Sequence, residues 1–339
     1  MGEAVTEGVS RPLVVVLGAS GLLGTAVTRE LAARPVRVRA VARRPATVPP
    51  DPVAEVEVCT ADLTDPGELA RVVAGADAVV HLVAYITGAR TWRAADEGDA
   101  AERVNTGLVR DLIGVFRQHR PARPPVVVFA GSTSQVGTGG AGTLDGTEQD
   151  VPQTAYDRQK AAAELALEAA TAAGVVRATT LRLPTLVSRG TDDPSLDRGV
   201  AATMMRRALA GEPLSLWYGG TARRDLVCVD DAARAFVAAL DHADRLAGRH
   251  WLLGSGAGTS IAELFGLVAR VAAEHTGKPP VEITPVGAPG GAVPTDAVDF
   301  VGDPAPFHDI TGWSARVPLR AALEDLAAAL TRDASAPRP

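Results

Sequence analysis

The chain has 339 residues, 46% of them hydrophobic and 22% charged, with a formal net charge of −6. That length supports a substantial core in one large domain or two intimate ones, and the acidic balance argues against a nucleic-acid-binding surface. No apolar run reaches the roughly 18 residues that cross a bilayer, and residues 1–11 contain Glu3 and Glu7 and lack an apolar signal core, so a soluble cytoplasmic protein with a flexible leader and no membrane partner is expected. Cys59 and Cys228 lie in apolar runs and read as small buried hydrophobes, with no disulfide framework and no metal site.

Leu13 to Leu17 is a short β-branched run suited to a strand buried on both faces. It enters Gly18-Ala19-Ser20-Gly21-Leu22-Leu23-Gly24 and then a helical pattern from Thr25 to Ala33. Strand, glycine turn and helix N-terminus in that order form a phosphate cradle, because glycines let the backbone approach a pyrophosphate and free helix amides point at the anion. A second strand, Val36 to Val41, ends in Ala42-Arg43-Arg44. An acid at that strand end takes the ribose hydroxyls of NAD, whereas arginine suits the 2′-phosphate of NADP. Ala42 replaces the acid here, so NADP(H) is expected, with Arg43 and Arg44 as its ligands.

Val53 to Cys59 reads as a third strand, with Asp62-Leu63 after it placed for the adenine edge, then a helix Pro66 to Ala74 and a fourth strand Ala78 to Ala84. A loop at 88–98 carries Trp92 and Arg93; Val104 to His119 reads as one helix with Asn105 near its start. A fifth strand, Pro125 to Ala130, ends in Gly131-Ser132-Thr133-Ser134, and a sixth, Ala178 to Leu183, ends in Pro184. Strands alternating with helices give an α/β, Rossmann-like, doubly wound parallel sheet, and ligands to such sheets gather beyond the strands' carboxyl ends. Gly18, Arg43, Asp62, Ala84, Ser132 and Pro184 all fall there; Leu82, Val83, Asn105 and Leu183 are counted with them as coenzyme contacts.

Between those strands lies Tyr156-Asp157-Arg158-Gln159-Lys160, opening an Ala/Glu-rich helix to Ala173. The phenol and the ammonium share one helix face, and a close positive charge is expected to draw the phenol down toward neutral pH as an acid/base group. Only two of the 34 basic residues are lysine, Lys160 and Lys278. Beyond Pro184 come a helix from Val200 to Ala210, the segment Arg223 to Asp231 with Asp230 or Asp231 capping the helix to Leu240, and short elements between Pro/Gly loops. The expected organisation is a dinucleotide-binding domain over 12–184, rejoined by 221–248, a smaller α/β substrate domain over 185–220 and 249–330, and a tail at 331–339.

The Gly-x-x-Gly-x-x-Gly turn, Asp62-Leu63, the serine cluster, Tyr156-x-x-x-Lys160 and Arg224-Asp225-Leu226 together resemble the extended short-chain dehydrogenase/reductases, the NAD-dependent epimerase/dehydratase family, over about Leu13 to Trp313. Within it, His81-Leu82-Val83-Ala84, Thr91-Trp92-Arg93 and Ala101 to Asn105 look closest to dTDP-4-keto-6-deoxyhexose 4-ketoreductases of actinomycete deoxysugar pathways.

The resemblance implies that Tyr156 is the proton donor and that Lys160 binds the nicotinamide ribose. Ser132, or Thr133 in its place, would hydrogen-bond the substrate oxygen. Arg224 would clasp the diphosphate of a sugar nucleotide, with Trp217 and Tyr218 near its base, and Trp92 and Arg93, in a loop beside the coenzyme, are counted among the substrate-binding residues. It also implies a homodimer through helices 104–119 and 156–173. The activity expected is NADPH-dependent reduction of the C4 ketone of a dTDP-linked keto-deoxysugar. An NAD-retaining epimerase and a non-catalytic NADP-binding regulator are the alternatives, while the lack of acids after Ser132 disfavours a dehydratase.

Overall fold

A computed structural model describes residues 11–85, 98–140, 142–191, 196–287 and 294–335; Trp92 and Arg93 lie outside them. The strands are β1 Leu13–Leu17, β2 Arg37–Ala42, β3 Glu55–Thr60, β4 Ala78–His81, β5 Val126–Ser132, β6 Thr143–Leu144 and β7 Arg177–Leu183, followed by β8 Thr185–Val187, β9 Leu214–Trp217, β10 Arg223–Cys228, β11 His250–Leu252, β12 Gly258–Ser260, β13 Ile283–Val286 and β14 Val301–Gly302. The helices are α1 Leu22–Ala32, α2 Pro66–Val73, α3 Asp99–Glu102, α4 Leu108–His119, α5 Ala155–Ala172, α6 Val200–Leu209, α7 Val229–Asp241, α8 Ala243–Leu246, α9 Ile261–Thr276, α10 Ala305–Thr311 and α11 Leu319–Ser335.

Seven strands pair in parallel in the order β11-β7-β5-β4-β1-β2-β3. Side chains alternate across a strand, so β1 feeds two cores. Val14 and Val16 pack with Val38, Val80 and Val128 on one face. Leu13, Val15 and Leu17 pack with Val79, Val127 and Phe129 on the other. Helices α1 and α7 cover the first face, and α2, α4 and α5 the second, which is why these strands read as continuous apolar runs. A third core joins β8 and β10 to α6, α9 and α11 around Met205, Phe265, Val268 and Leu323. The chain order reverses between β1 and β4, which opens a crevice at their carboxyl ends.

Several elements differ from the sequence expectation. β4 stops at His81, because the chain turns after Leu82 N donates to Leu17 O and then crosses Gly18. β5 runs on through Ser132, placing that residue in the strand rather than after it. The helix expected from Val104 opens instead with α3 and a π-helical stretch, Arg103–Gly107, before α4. β11, from a segment assigned to the substrate domain, completes the main sheet beside β7.

Neither Asp230 nor Asp231 caps α7, whose N-cap is Cys228. Asp230 pairs with Arg29 across to α1. Asp231 is fully buried and accepts from the Arg316 and Val317 amides, both at 2.9 Å, tying down the segment before α11. Cys228 is buried as expected, but Cys59 is only half-buried, with its thiol directed at Glu57 Oε1, because β3 is the sheet's edge.

Candidate active site

The glycine turn is built by close packing. Gly18 has φ +90°, and a Cβ there would lie 3.2 Å from the Leu82 carbonyl carbon and the Val83 amide nitrogen. A Cβ on Gly24 would lie 2.1 Å from Gly18 O, so only glycine lets α1 start against the end of β1. Gly21 is the N-cap of α1 and brings no side chain to its first amides. Ser20, Leu22 and Leu23 line this turn and stay half-buried. The cradle fits a pyrophosphate: uncapped helix amides, a bare backbone and no acidic residue in the first turn.

Arg43 and Arg44 are exposed beyond β2, while Ala42 is buried. Asp62 is also exposed and accepts from the amide and hydroxyl of Thr64, at 3.0 and 2.7 Å; these bonds hold its carboxyl below the usual range. Leu63 turns into the core instead. Leu82, Val83 and Ala84 follow β4 half-buried at the crevice, and Leu183 closes β7 before Pro184. Asn105 is fully buried and committed to protein partners: its Oδ1 accepts from Tyr85 N at 2.7 Å and its Nδ2 donates to Gln159 Oε1 at 2.7 Å. The π-helical stretch carries it, and such bulges cluster at functional sites.

Tyr156 and Lys160 sit in the first turns of α5, which Thr154 and Asp157 start with a reciprocal capping box. Lys160 is 2% exposed and donates to Ala130 O at 2.8 Å. Its Nζ lies 4.6 Å from the Phe129 ring centre and 5.7 Å from that of Tyr156.

The expected tuning of the phenol is reversed. Burial, and then the charge of Asp157, push Tyr156 above its ordinary value, and burial pulls Lys160 down to about 7. Desolvation, the largest cause for both groups, disfavours their charged forms. Tyr156, whose side chain is half-buried, thus stays a neutral phenol.

Ser132 caps a 3-10 turn, Thr133–Val136, with Gln135 reaching back to its amide at 2.8 Å. Ser132 Oγ lies 2.8 Å from Ser134 Oγ, whose hydroxyl donates to Asp157 Oδ1 at 2.5 Å. This chain links the end of β5 to the residue beside Tyr156. Thr133 is buried and spends its hydroxyl on Leu183 O at 2.7 Å, whereas Ser132 is half-buried. Ser134, Asp157 and Gln159 were not singled out in the sequence; the Thr-x-x-Asp spacing before the helix was the one local signal available.

Behind them lies a buried ionic network. Arg182, 2% exposed, pairs with Glu164 at 2.6 Å and grips Asp150 with two bonds of 2.8 and 2.6 Å. His250 adds Nδ1 to Glu164 at 3.0 Å and Nε2 to Gly146 O at 2.9 Å. Glu164, Glu168 and His250 have the ligand spacing of a cation site, but the Arg182 guanidinium already supplies Glu164's counter-charge.

Arg224 is half-buried on β10 and holds chain rather than presenting an open fork. Its guanidinium donates to Val298 O, and to Thr295 O and Asp296 O at 2.9 and 3.3 Å. Trp217 ends β9, and Tyr218 beyond it is 46% exposed at φ +51°.

The crevice, the glycine cradle and the Tyr156–Lys160 helix define a Rossmann-like protein with a dinucleotide site. Residues 14–254 match the family described as "NAD dependent epimerase/dehydratase family", and the chain belongs to it.

Among curated proteins it is 30% identical over 214 residues to D-erythronate dehydrogenase of Cupriavidus necator, covering 58% of this chain and 62% of that protein. It is 25% identical over 309 residues to dTDP-L-rhamnose 4-epimerase of Burkholderia thailandensis, covering 80% of this chain and 83% of that one. Among solved structures, MoeE5 in complex with UDP-glucose and NAD superposes with a TM-score of 0.77 at 27% identity, covering 95% of this chain and 99% of that one. No described helix is long and apolar enough to cross a membrane.

Proposed function

We propose that this protein is a nicotinamide-dependent oxidoreductase acting on a carbinol or ketone carbon of a nucleotide-linked sugar. More specifically, it reduces the C4 ketone of a dTDP-4-keto-6-deoxyhexose with NADPH. One observation carries the reading: half-buried Tyr156 opens α5 with its ring 5.7 Å from the Lys160 ammonium nitrogen, and a phenol so placed would be the donor that a forming alkoxide needs. Ser132, at the end of β5, would hydrogen-bond the same oxygen. Lys160, which donates to Ala130 O, would bond the nicotinamide ribose. A nicotinamide coenzyme, when bound, would supply the hydride. The cradle at Gly18–Gly24 would hold its pyrophosphate, and exposed Arg43 and Arg44 beyond Ala42 favour the 2′-phosphate of NADP(H). Arg224 would exchange a carbonyl partner for a diphosphate oxygen, with Trp217 near the base.

A second reading has one observation in its favour: a relative aligned over 80% of this chain is named a 4-epimerase. An epimerase keeps its NAD through both half-reactions. The deciding experiment incubates the purified protein with dTDP-4-keto-6-deoxyglucose and NADPH, follows NADPH absorbance and identifies the product by NMR. Stoichiometric NADPH loss with a C4 carbinol supports the reductase. Protein that purifies with bound NAD and leaves free NADPH untouched overturns it in favour of the epimerase.

Pairing of two copies through α4 and α5 is proposed from Leu165 of α5, which is 63% exposed. Leu165→Glu should convert a dimer to a monomer in light scattering.

A further inference from the structure

The helix that carries Tyr156 and Lys160 is tied to the wall of the crevice through one side chain. Beyond β4 the chain passes over Gly18, where an added Cβ would lie 3.2 Å from the Leu82 carbonyl carbon and the Val83 amide nitrogen. Leu82 N donates to Leu17 O at 2.9 Å, which fixes the near end of this segment. Its far end is Tyr85, whose amide donates to Asn105 Oδ1 at 2.7 Å. Asn105 Nδ2 in turn donates to Gln159 Oε1 at 2.7 Å, and Thr106 Oγ1 donates to the Gln159 carbonyl at 3.2 Å. Hydrogen counting fixes these directions. The Tyr85 amide can only donate, so it meets the Asn105 oxygen. The Asn105 group left for Gln159 is then the NH2, which needs an acceptor. Asn105 and Thr106 are 0% and 1% exposed, so a partner lost there is not replaced by bulk water.

We propose that Gln159 is a positioning residue: through Asn105 it braces residues 82–85 against α5 and holds the crevice wall in the form that accepts a nicotinamide coenzyme. The inference rests on the coenzyme-dependent reading above, in which Leu82, Val83 and Ala84 would touch the coenzyme. Residues 82–85 belong to no strand or helix, so their path depends on side-chain anchors more than on a ladder. Gln159 immediately precedes Lys160 on α5. The brace therefore sets the distance from the Gly18 turn to the Tyr156–Lys160 pair. A protein whose binding-competent form is only partly populated binds more weakly by that fraction, and saturating ligand restores the form. Loss of the brace thus falls on coenzyme affinity and spares the chemical step.

Gln159→Met keeps the length and helix propensity of the side chain but offers no oxygen. It should raise the KM for NADPH about tenfold, the order of one buried amide left unpaired, with kcat at saturating NADPH within about twofold of wild type. Gln159→Glu, which restores an acceptor for Asn105 Nδ2, should recover most of that loss. In coenzyme-free protein, hydrogen exchange of the peptide containing Tyr85 should be about tenfold faster in Gln159→Met and return toward wild type in Gln159→Glu. Wild-type exchange in Gln159→Met overturns the brace. So does a lowered kcat with KM unchanged, a lowered Tm with KM and exchange both unchanged, or a Gln159→Glu variant as impaired as Gln159→Met. Wild-type protein that binds neither NADPH nor NADH in a fluorescence titration overturns the coenzyme reading instead. The exchange measurement needs no coenzyme or substrate, and it then decides the brace alone.

Discussion

The Lys160 ammonium nitrogen lies 5.7 Å from the centre of the Tyr156 ring, yet its hydrogen bond goes to Ala130 O. Among the described residues no carboxylate pairs with it. A buried, unpaired amine is costly to charge, which is why burial pulls Lys160 down to about 7. Lys160→Met should therefore raise the Tm of the coenzyme-free protein, by roughly 2 °C or more, while abolishing turnover. Tyr156→Phe should abolish turnover with NADPH affinity nearly intact. Calorimetry and coenzyme titration of the two variants check both outcomes.

The glycine turn separates a structural role from a binding role. A Cβ on Gly24 meets backbone oxygen at 2.1 Å, whereas one on Gly21 meets only Gly18 O, at 3.3 Å. Gly24→Ala should cost several kcal/mol by overpacking against backbone that cannot retreat. Gly21→Ala should melt within a few degrees of wild type and lose at least about tenfold in NADPH affinity. Thermal melts with and without NADPH distinguish them.

Arg43 stands exposed beyond buried Ala42, close enough to Asp62 for their charges to interact. If it grips the 2′-phosphate, Arg43→Ala should weaken NADPH about ten- to a hundredfold and leave NADH unchanged, the loss of one charge-assisted contact. Equal losses for both coenzymes in a fluorescence titration would remove the arginine from phosphate recognition.

His250 directs both ring nitrogens at acceptors, Glu164 Oε1 and Gly146 O. Both nitrogens must then carry hydrogen, which makes the ring an imidazolium. Burial opposes this charge, as does Arg182, but the Glu164 bond and charge outweigh them and hold His250 above its ordinary value. Glu168 and Asp150 add negative charge to the same cluster. A raised folded-state value means that the stabilisation is complete below the unfolded value of about 6.5 and is lost as pH rises through the folded one. The Tm of wild type should fall across that window, and the Tm of His250→Gln should change less. Parallel pH profiles for the two proteins would show that the ring is neutral throughout.

Much of this was legible in the sequence because it is local. Alternating apolar residues decide which face of β1 meets which core, and the Gly18–Gly24 spacing decides where α1 can begin. The four-residue step from Tyr156 to Lys160 sets a common helix face. Other features needed the folded chain. The Ser134–Asp157 bond spans 23 residues and the Asn105–Gln159 bond spans 54. No periodicity reports such pairs. Arg224 stands in the anticipated motif, but its carbonyl partners come from residues 295–298, far along the chain.

The sequence by itself determined the parallel sheet, the glycine turn before α1 and the common helix face of Tyr156 and Lys160, because backbone geometry and side-chain period act over a few residues. The tertiary structure decided the direction in which that pair is tuned. Local reasoning placed an ammonium beside a phenol and expected the phenol to ionise more readily. Desolvation by distant segments opposes ionisation of both groups at once, pushing Tyr156 above its ordinary value and pulling Lys160 down to about 7.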